Sequence, residues 1–180
     1  MQCKKYYAVM NYFDLYDIPV TLKVDANTIK QKFYALSRKY HPDFFGNENE
    51  EAQTEALEKS SLTNKAFKTF SSTDETIKYV LQLKGLLQQE EKYNLPSDFL
   101  MEVMELNEQI NDGLLEFNET KIIDLKSKIS NLQIQLYEPV KQIVEHYKEG
   151  VTTEEELLQV KTYYFQKKYI DRILSSLNRH

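Results

Sequence analysis

Apolar residues recur at Ile29, Phe33, Leu36 and Tyr40, spaced four, three and four. At about 100° per residue they form one narrow stripe of an amphipathic helix. Asp25-Ala26-Asn27-Thr28 supplies several candidate N-caps before it, and the other faces carry Lys30, Lys32, Arg38 and Lys39. Pro42 stops the pattern, because it disfavours helical geometry at His41 and has no N–H to donate. A polar loop over 44–51 leads into a second helix from about Glu51 to Phe70, with Ala52, Ala56, Thr63, Ala66, Phe67 and Phe70 on its inner side. Two helices joined by so short a loop lie antiparallel, which leaves the Pro42 corner exposed at one end. Upstream, Asn11 to Pro19 reads as a short apolar helix or turn stopped before the proline. Downstream, Ser71-Ser72-Thr73-Asp74-Glu75 restarts the chain into a shorter helix carrying Ile77, Val80, Leu81 and Leu83, with Gly85 to end it.

Gln88 to Pro96 is polar and ends in proline, and it separates segments of different character. The predicted division is a domain over 1–86, a linker over 87–96 and a second domain over 97–180. That second domain holds three helices in an antiparallel bundle. The first starts at Ser97 or Asp98, with Gly113 near its end. The second runs from Glu119 to about Tyr147, kinked or split at Pro139. The third, capped at Thr152-Thr153-Glu154-Glu155-Glu156, extends to about Leu177.

In the first of these helices, Phe99, Val103, Leu106 and Ile110 complete a core stripe by themselves. Leu100, Met101 and Met104 fan out on the other side, where Glu105 and Glu108 also lie. The residues admit two readings: a carboxylate-rimmed apolar surface for a protein partner, with adaptable methionines, or packing against the N-terminal half or within a wide bundle core. In the last helix Val160, Tyr164, Lys167, Asp171 and Leu174 trace an imperfect inner stripe, while Phe165, Tyr169 and Ile173 fall on another side.

Composition narrows the fold to all-α. Four glycines and four prolines in 180 residues leave little material for hairpin turns, while helix formers abound. A net charge of −5 argues against a chain that coats nucleic acid through phosphate neutralisation. Cys3 is the only cysteine, which excludes an internal disulfide and any multi-cysteine metal site. His146 and His180 have no matched ligand at metal-binding spacing, so no metal and no cofactor are expected. The stretch Met1 to Tyr7 lacks a secretory signal pattern and no window is apolar enough to span a bilayer; a cytoplasmic protein without membrane attachment is expected. No phosphate-binding glycine loop, nucleophile elbow or zinc signature is present, so no catalytic residue is assigned.

The basic helix, the tripeptide His41-Pro42-Asp43, the loop and the antiparallel helix with Asn64-Lys65-Ala66-Phe67 together resemble the J-domain of DnaJ-type co-chaperones. That resemblance implies an antiparallel helical hairpin with short flanking helices. It also implies docking of Lys32, Arg38, Lys39, His41, Pro42 and Asp43 on a DnaK-type (HscA-type) chaperone, whose ATP hydrolysis is stimulated. Tyr34, Ala35 and Phe44 depart from the usual pattern, which places basic residues there. With the linker, the C-terminal three-helix bundle and the string Phe99-Leu100-Met101-Glu102-Val103-Met104-Glu105-Leu106, nearly the whole chain resembles the HscB family of iron–sulfur cluster assembly. The resemblance implies that Leu100, Met101, Met104, Glu105, Glu108 and Phe165 bind an IscU-type cluster scaffold protein. Another client, or a non-chaperone interaction protein with an inactive J-like half, are the competing expectations.

Overall fold

The computed structural model describes residues 11–115 and 119–177; Cys3, the segment Met1 to Tyr7 and His180 lie outside them. Among the described residues the regular structure is helical throughout, as expected. By internal contacts the chain divides into two compact units, Met1–Val80 and Leu81–His180, a boundary that falls within one helix.

In the first unit, α1 (Tyr12–Tyr16) is capped by the Asn11 side chain and stops at Asp17, which takes the left-handed conformation two residues before Pro19. Helix α2 (Ala26–Lys39) starts at Asp25, whose carboxylate accepts from the Thr28 N–H at 2.7 Å. Helix α3 (Glu50–Phe70) is capped by Asn49. Phe33 stacks on Phe67 at 4.2 Å between ring centroids, and Lys59 lies over the Tyr40 ring. Rising positions on α2 thus meet falling positions on α3, the antiparallel pairing that the sequence predicts. Phe13, Tyr16 and Phe70 form an aromatic core with α1, and the Tyr16 hydroxyl donates to the Thr63 carbonyl at 2.9 Å. Helix α4 (Thr73–Leu83) closes this unit through Tyr79, which stacks on Tyr12 and accepts a hydrogen bond from its N–H. Gly85, at φ +71°, ends the helix as expected, in a conformation glycine adopts without steric cost.

The second unit is an antiparallel bundle of α5 (Ser97–Leu115), α6 (Glu119–Tyr137) and α8 (Glu154–Leu177). Gln109 meets Lys128, Gln133 meets Asp171 and Tyr137 meets Tyr163, which fixes the alternating directions. Pro139 splits the middle helix as predicted: a 3₁₀ turn over Glu138–Val140 separates α6 from α7 (Lys141–His146). Helix α8 opens on a capping box, the Thr153 hydroxyl accepting from the Glu156 N–H while the Glu156 carboxylate accepts from the Thr153 N–H. Phe99, Val103, Leu106 and Ile110 are buried against Leu125, Ile129 and Leu132 of α6 and Ile170, Ile173 and Leu177 of α8.

Helix α8 corrects the predicted inner stripe. Its buried residues are Leu157, Val160, Tyr163, Tyr164, Ile170, Ile173 and Leu177, so Ile173 belongs to the core. Lys167 and Asp171 sit half-buried at its edge, paired at 2.9 Å, and Gln133 Nε2 donates to the second Asp171 oxygen at 2.9 Å. An ion pair satisfied by a neighbouring amide is tolerated where a lone charge is not. The loop after α2 is also more ordered than a plain polar connection, since Pro42–Phe45 form a 3₁₀ turn.

Candidate functional site

Two surfaces hold the residues singled out from the sequence. The first is the end of α2. His41 is extended (φ −67°, ψ 128°), as the residue before proline must be, and Pro42 opens the 3₁₀ turn. The His41 side chain caps that turn: Nδ1 accepts from the Asp43 N–H at 3.3 Å, and the Phe44 N–H donates to the His41 carbonyl at 3.1 Å. The Asp43 carboxylate stands 86% exposed, 3.6 Å from Nδ1, with acceptor oxygens turned to solvent. The cap and the proline thus fix the backbone from which this exposed carboxylate projects.

The cations beside it are not equivalent. Arg38 and Lys39 are exposed on the last turn of α2, Lys39 over the Tyr40 ring. Lys32 is drawn back instead: its Nζ donates to the Asp17 carbonyl at 2.7 Å and lies 3.6 Å from the Asp17 carboxylate, tying α2 to the end of α1. Arg38, Lys39, His41, Pro42 and Asp43 therefore share one corner, and Lys32 sits about two turns away with a structural task. Two aromatic rings on this side received no role from the sequence, Tyr34 at 59% and Phe44 at 67% exposure.

The second surface is the outer face of α5. Met101 and Met104 are 66% and 65% exposed and Leu100 is 38% exposed, with Glu105 and Glu108 exposed among them. Of the two sequence readings, packing within the bundle core is thereby removed for these side chains. Helix α5 carries Asp98, Glu102, Glu105, Glu108 and Asp112 and no lysine or arginine. An apolar centre ringed by like charge suits a partner that brings an apolar patch with a cationic border. Beside it, an open groove of about 350 Å³ between α5 and α6 has Glu102, Glu105, Gln109 and Lys128 on its walls and Leu106 and Leu132 at its floor.

Phe165 is placed differently from the five α5 residues. Its ring stacks on Tyr93, 4.4 Å between centroids and 1° from parallel, and is half-buried. Tyr93 is held there by a 2.6 Å hydrogen bond to Thr162 Oγ1, whose own proton goes to the Leu158 carbonyl, so the tyrosine O–H donates. Glu91 pairs with Lys161 at 2.6 Å. That hydrogen bond holds the Glu91 carboxyl below its ordinary pKa against the opposing effect of desolvation, with further help from the Gln88 N–H. The stretch before α5 is thus strapped to α8 by three consecutive kinds of contact that no sequence spacing announces. Among the described residues no group of three or more His, Cys, Asp or Glu is arranged to hold a metal ion, and no helix is long and apolar enough to cross a membrane.

Residues 95–178 match the family described as the HSCB C-terminal oligomerisation domain. The chain is 37% identical over 123 residues to the co-chaperone protein HscB of Buchnera aphidicola subsp. Acyrthosiphon pisum (strain Tuc7), covering 67% of this chain and 70% of that protein. It is 32% identical over 102 residues to the co-chaperone protein HscB homolog of Vibrio cholerae serotype O1 (strain M66-2), covering 56% and 60%. Among solved structures, human co-chaperone protein HscB superposes with a TM-score of 0.77 at 23% identity, covering 95% of this chain and 82% of that chain. Chaperone HscB from Vibrio cholerae gives the same TM-score and identity over 94% and 96%. At this identity the structural likeness speaks for the fold.

Proposed function

The chain belongs to the HscB family of co-chaperones, and from that premise we propose that it delivers an iron–sulfur cluster scaffold protein to a DnaK-type chaperone and stimulates the chaperone's ATP hydrolysis. The observation that carries the reading is the exposed, turn-fixed His41-Pro42-Asp43 corner at the end of a basic helix. In this reading residues 1–86 act as a J-domain, and Arg38, Lys39, His41, Pro42 and Asp43 meet the ATPase. The protein brings no catalytic group; it presents Asp43 and the α2 cations to an acidic partner surface, and the partner performs the hydrolysis. Lys32 lies about two turns away and ties α2 to Asp17 at the end of α1.

The scaffold sits on Leu100, Met101, Met104, Glu105 and Glu108, and Phe165 adds to that surface from α8. Joining both partners on one chain raises the concentration of each near the other, so that stimulated hydrolysis coincides with client delivery. The setting is the cytoplasm. The test uses the purified full chain with its own DnaK-type chaperone and scaffold. Asp43→Asn should lower ATPase stimulation by about tenfold or more while scaffold affinity stays at the wild-type value, because truncating one partner of a contact charge pair acts at that interface alone. Met101→Ala with Met104→Ala should do the reverse. Wild-type behaviour of both variants would contradict the assignment.

A further inference from the structure

We propose that Phe44 and Tyr34 are partner-contact residues that give chaperone docking an apolar, salt-insensitive component; this rests on reading the His41-Pro42-Asp43 corner as the docking site for a DnaK-type ATPase. The turn itself decides where Phe44 goes. With the Asp43 N–H held by His41 Nδ1 and the Phe44 N–H held by the His41 carbonyl, Phe44 stands outward at 67% exposure, while the adjacent Phe45 is half-buried. Its ring lies 6.0 Å from the His41 ring in an edge-on arrangement. Phe44 therefore extends the corner with an apolar surface that the fold leaves uncovered.

Tyr34 occupies the same kind of position on the helix. Lys30, Tyr34 and Arg38 are spaced four and four and form one row on the outer face of α2, all exposed. Residues four apart are neighbours on a helix surface, so the tyrosine ring sits between two cations one turn away on either side. A single exposed aromatic is ordinary on a protein surface. Two large exposed rings, one in the cationic row of α2 and one in the turn that carries the tripeptide, have a common explanation in one occupant. That occupant is the nucleotide-binding half of the chaperone, with an acidic surface for Lys30, Arg38 and Lys39 and an apolar recess for the rings. Attraction between exposed charges is screened by salt and burial of apolar area is not, so the rings set how docking survives ionic strength.

The experiment titrates the full chain against its own DnaK-type chaperone and reads the half-maximal concentration for ATPase stimulation at about 0.05 M and about 0.3 M salt. Phe44→Ala should raise that concentration on the order of tenfold at both salts, the range expected for losing most of a buried phenylalanine. Tyr34→Ala should do the same to a smaller degree, and Phe44→Leu should restore most of the loss. Phe44→Lys should dock at low salt and fail at high salt. All four should bind the scaffold as wild type does. Phe44→Ala and Tyr34→Ala indistinguishable from wild type at high salt would overturn the proposal and leave the docking reading intact. Loss of scaffold binding in place of ATPase stimulation would assign the rings to another occupant and overturn it as well. A wild-type chain that fails to stimulate at either salt would remove the docking reading and this proposal together.

Discussion

How far the fold depends on a residue is decided here by which side of its helix it occupies. Ile129 is fully buried between α5 and α8, so Ile129→Ala should cost about 2–5 kcal/mol, measured as a lowered denaturant midpoint. Met101, two-thirds exposed, has no such task; Met101→Ala should stay within about 0.5 kcal/mol of wild type in the same measurement while weakening scaffold binding. The buried face of α5 was legible in the sequence, because Phe99, Val103, Leu106 and Ile110 at helical spacing fill it; the outward placement of Met101 and Met104 was not, since the residues admitted a partner surface and core packing alike, and only their exposure removes the bundle core. The outward ring of Phe44 was not legible, since Phe44 and Phe45 are chemically identical and only the turn's two hydrogen bonds separate them. The pairing of Tyr93 with Phe165 was equally hidden: the two rings are 72 positions apart in the sequence, and neither carries a periodic signal.

Helices and their ends account for most of what the sequence made readable. Proline at 42 and 139, glycine at 85 and the Thr153–Glu156 capping box each act on the local backbone, and each marks the boundary found in the structure. Thr153→Ala removes one half of the box and should cost about 1 kcal/mol, read from thermal unfolding. The interior of α8 was read less well, because Lys167 and Asp171 fall at core spacing and only tertiary partners reveal that they pair at the edge. The strap before α5 adds a pH dependence. Glu91 is held below its ordinary pKa by Lys161, so its contribution is complete above the unfolded glutamate value of about 4.3 and fades as pH falls through the lower folded value. Glu91→Gln should therefore melt below wild type at neutral pH, and the difference should shrink in acid; a difference that grew in acid would contradict the ion pair's role.

Taken as a whole, the molecule offers one surface per unit, and the two differ in chemistry. One is a cationic helix end with an exposed carboxylate and exposed rings; the other is an apolar face on a helix whose charged residues are all carboxylates. Like surfaces would compete for one partner, whereas these two suit different ones, which is the property an adaptor needs. The most direct test measures ATP hydrolysis by the cognate DnaK-type chaperone with the co-chaperone alone, the scaffold alone and both together. Stimulation by the pair should lie well above the sum of the separate effects, and this excess should be lost in both Asp43→Asn and the Met101→Ala, Met104→Ala double variant. Purely additive stimulation, unchanged by either variant, would contradict the adaptor role.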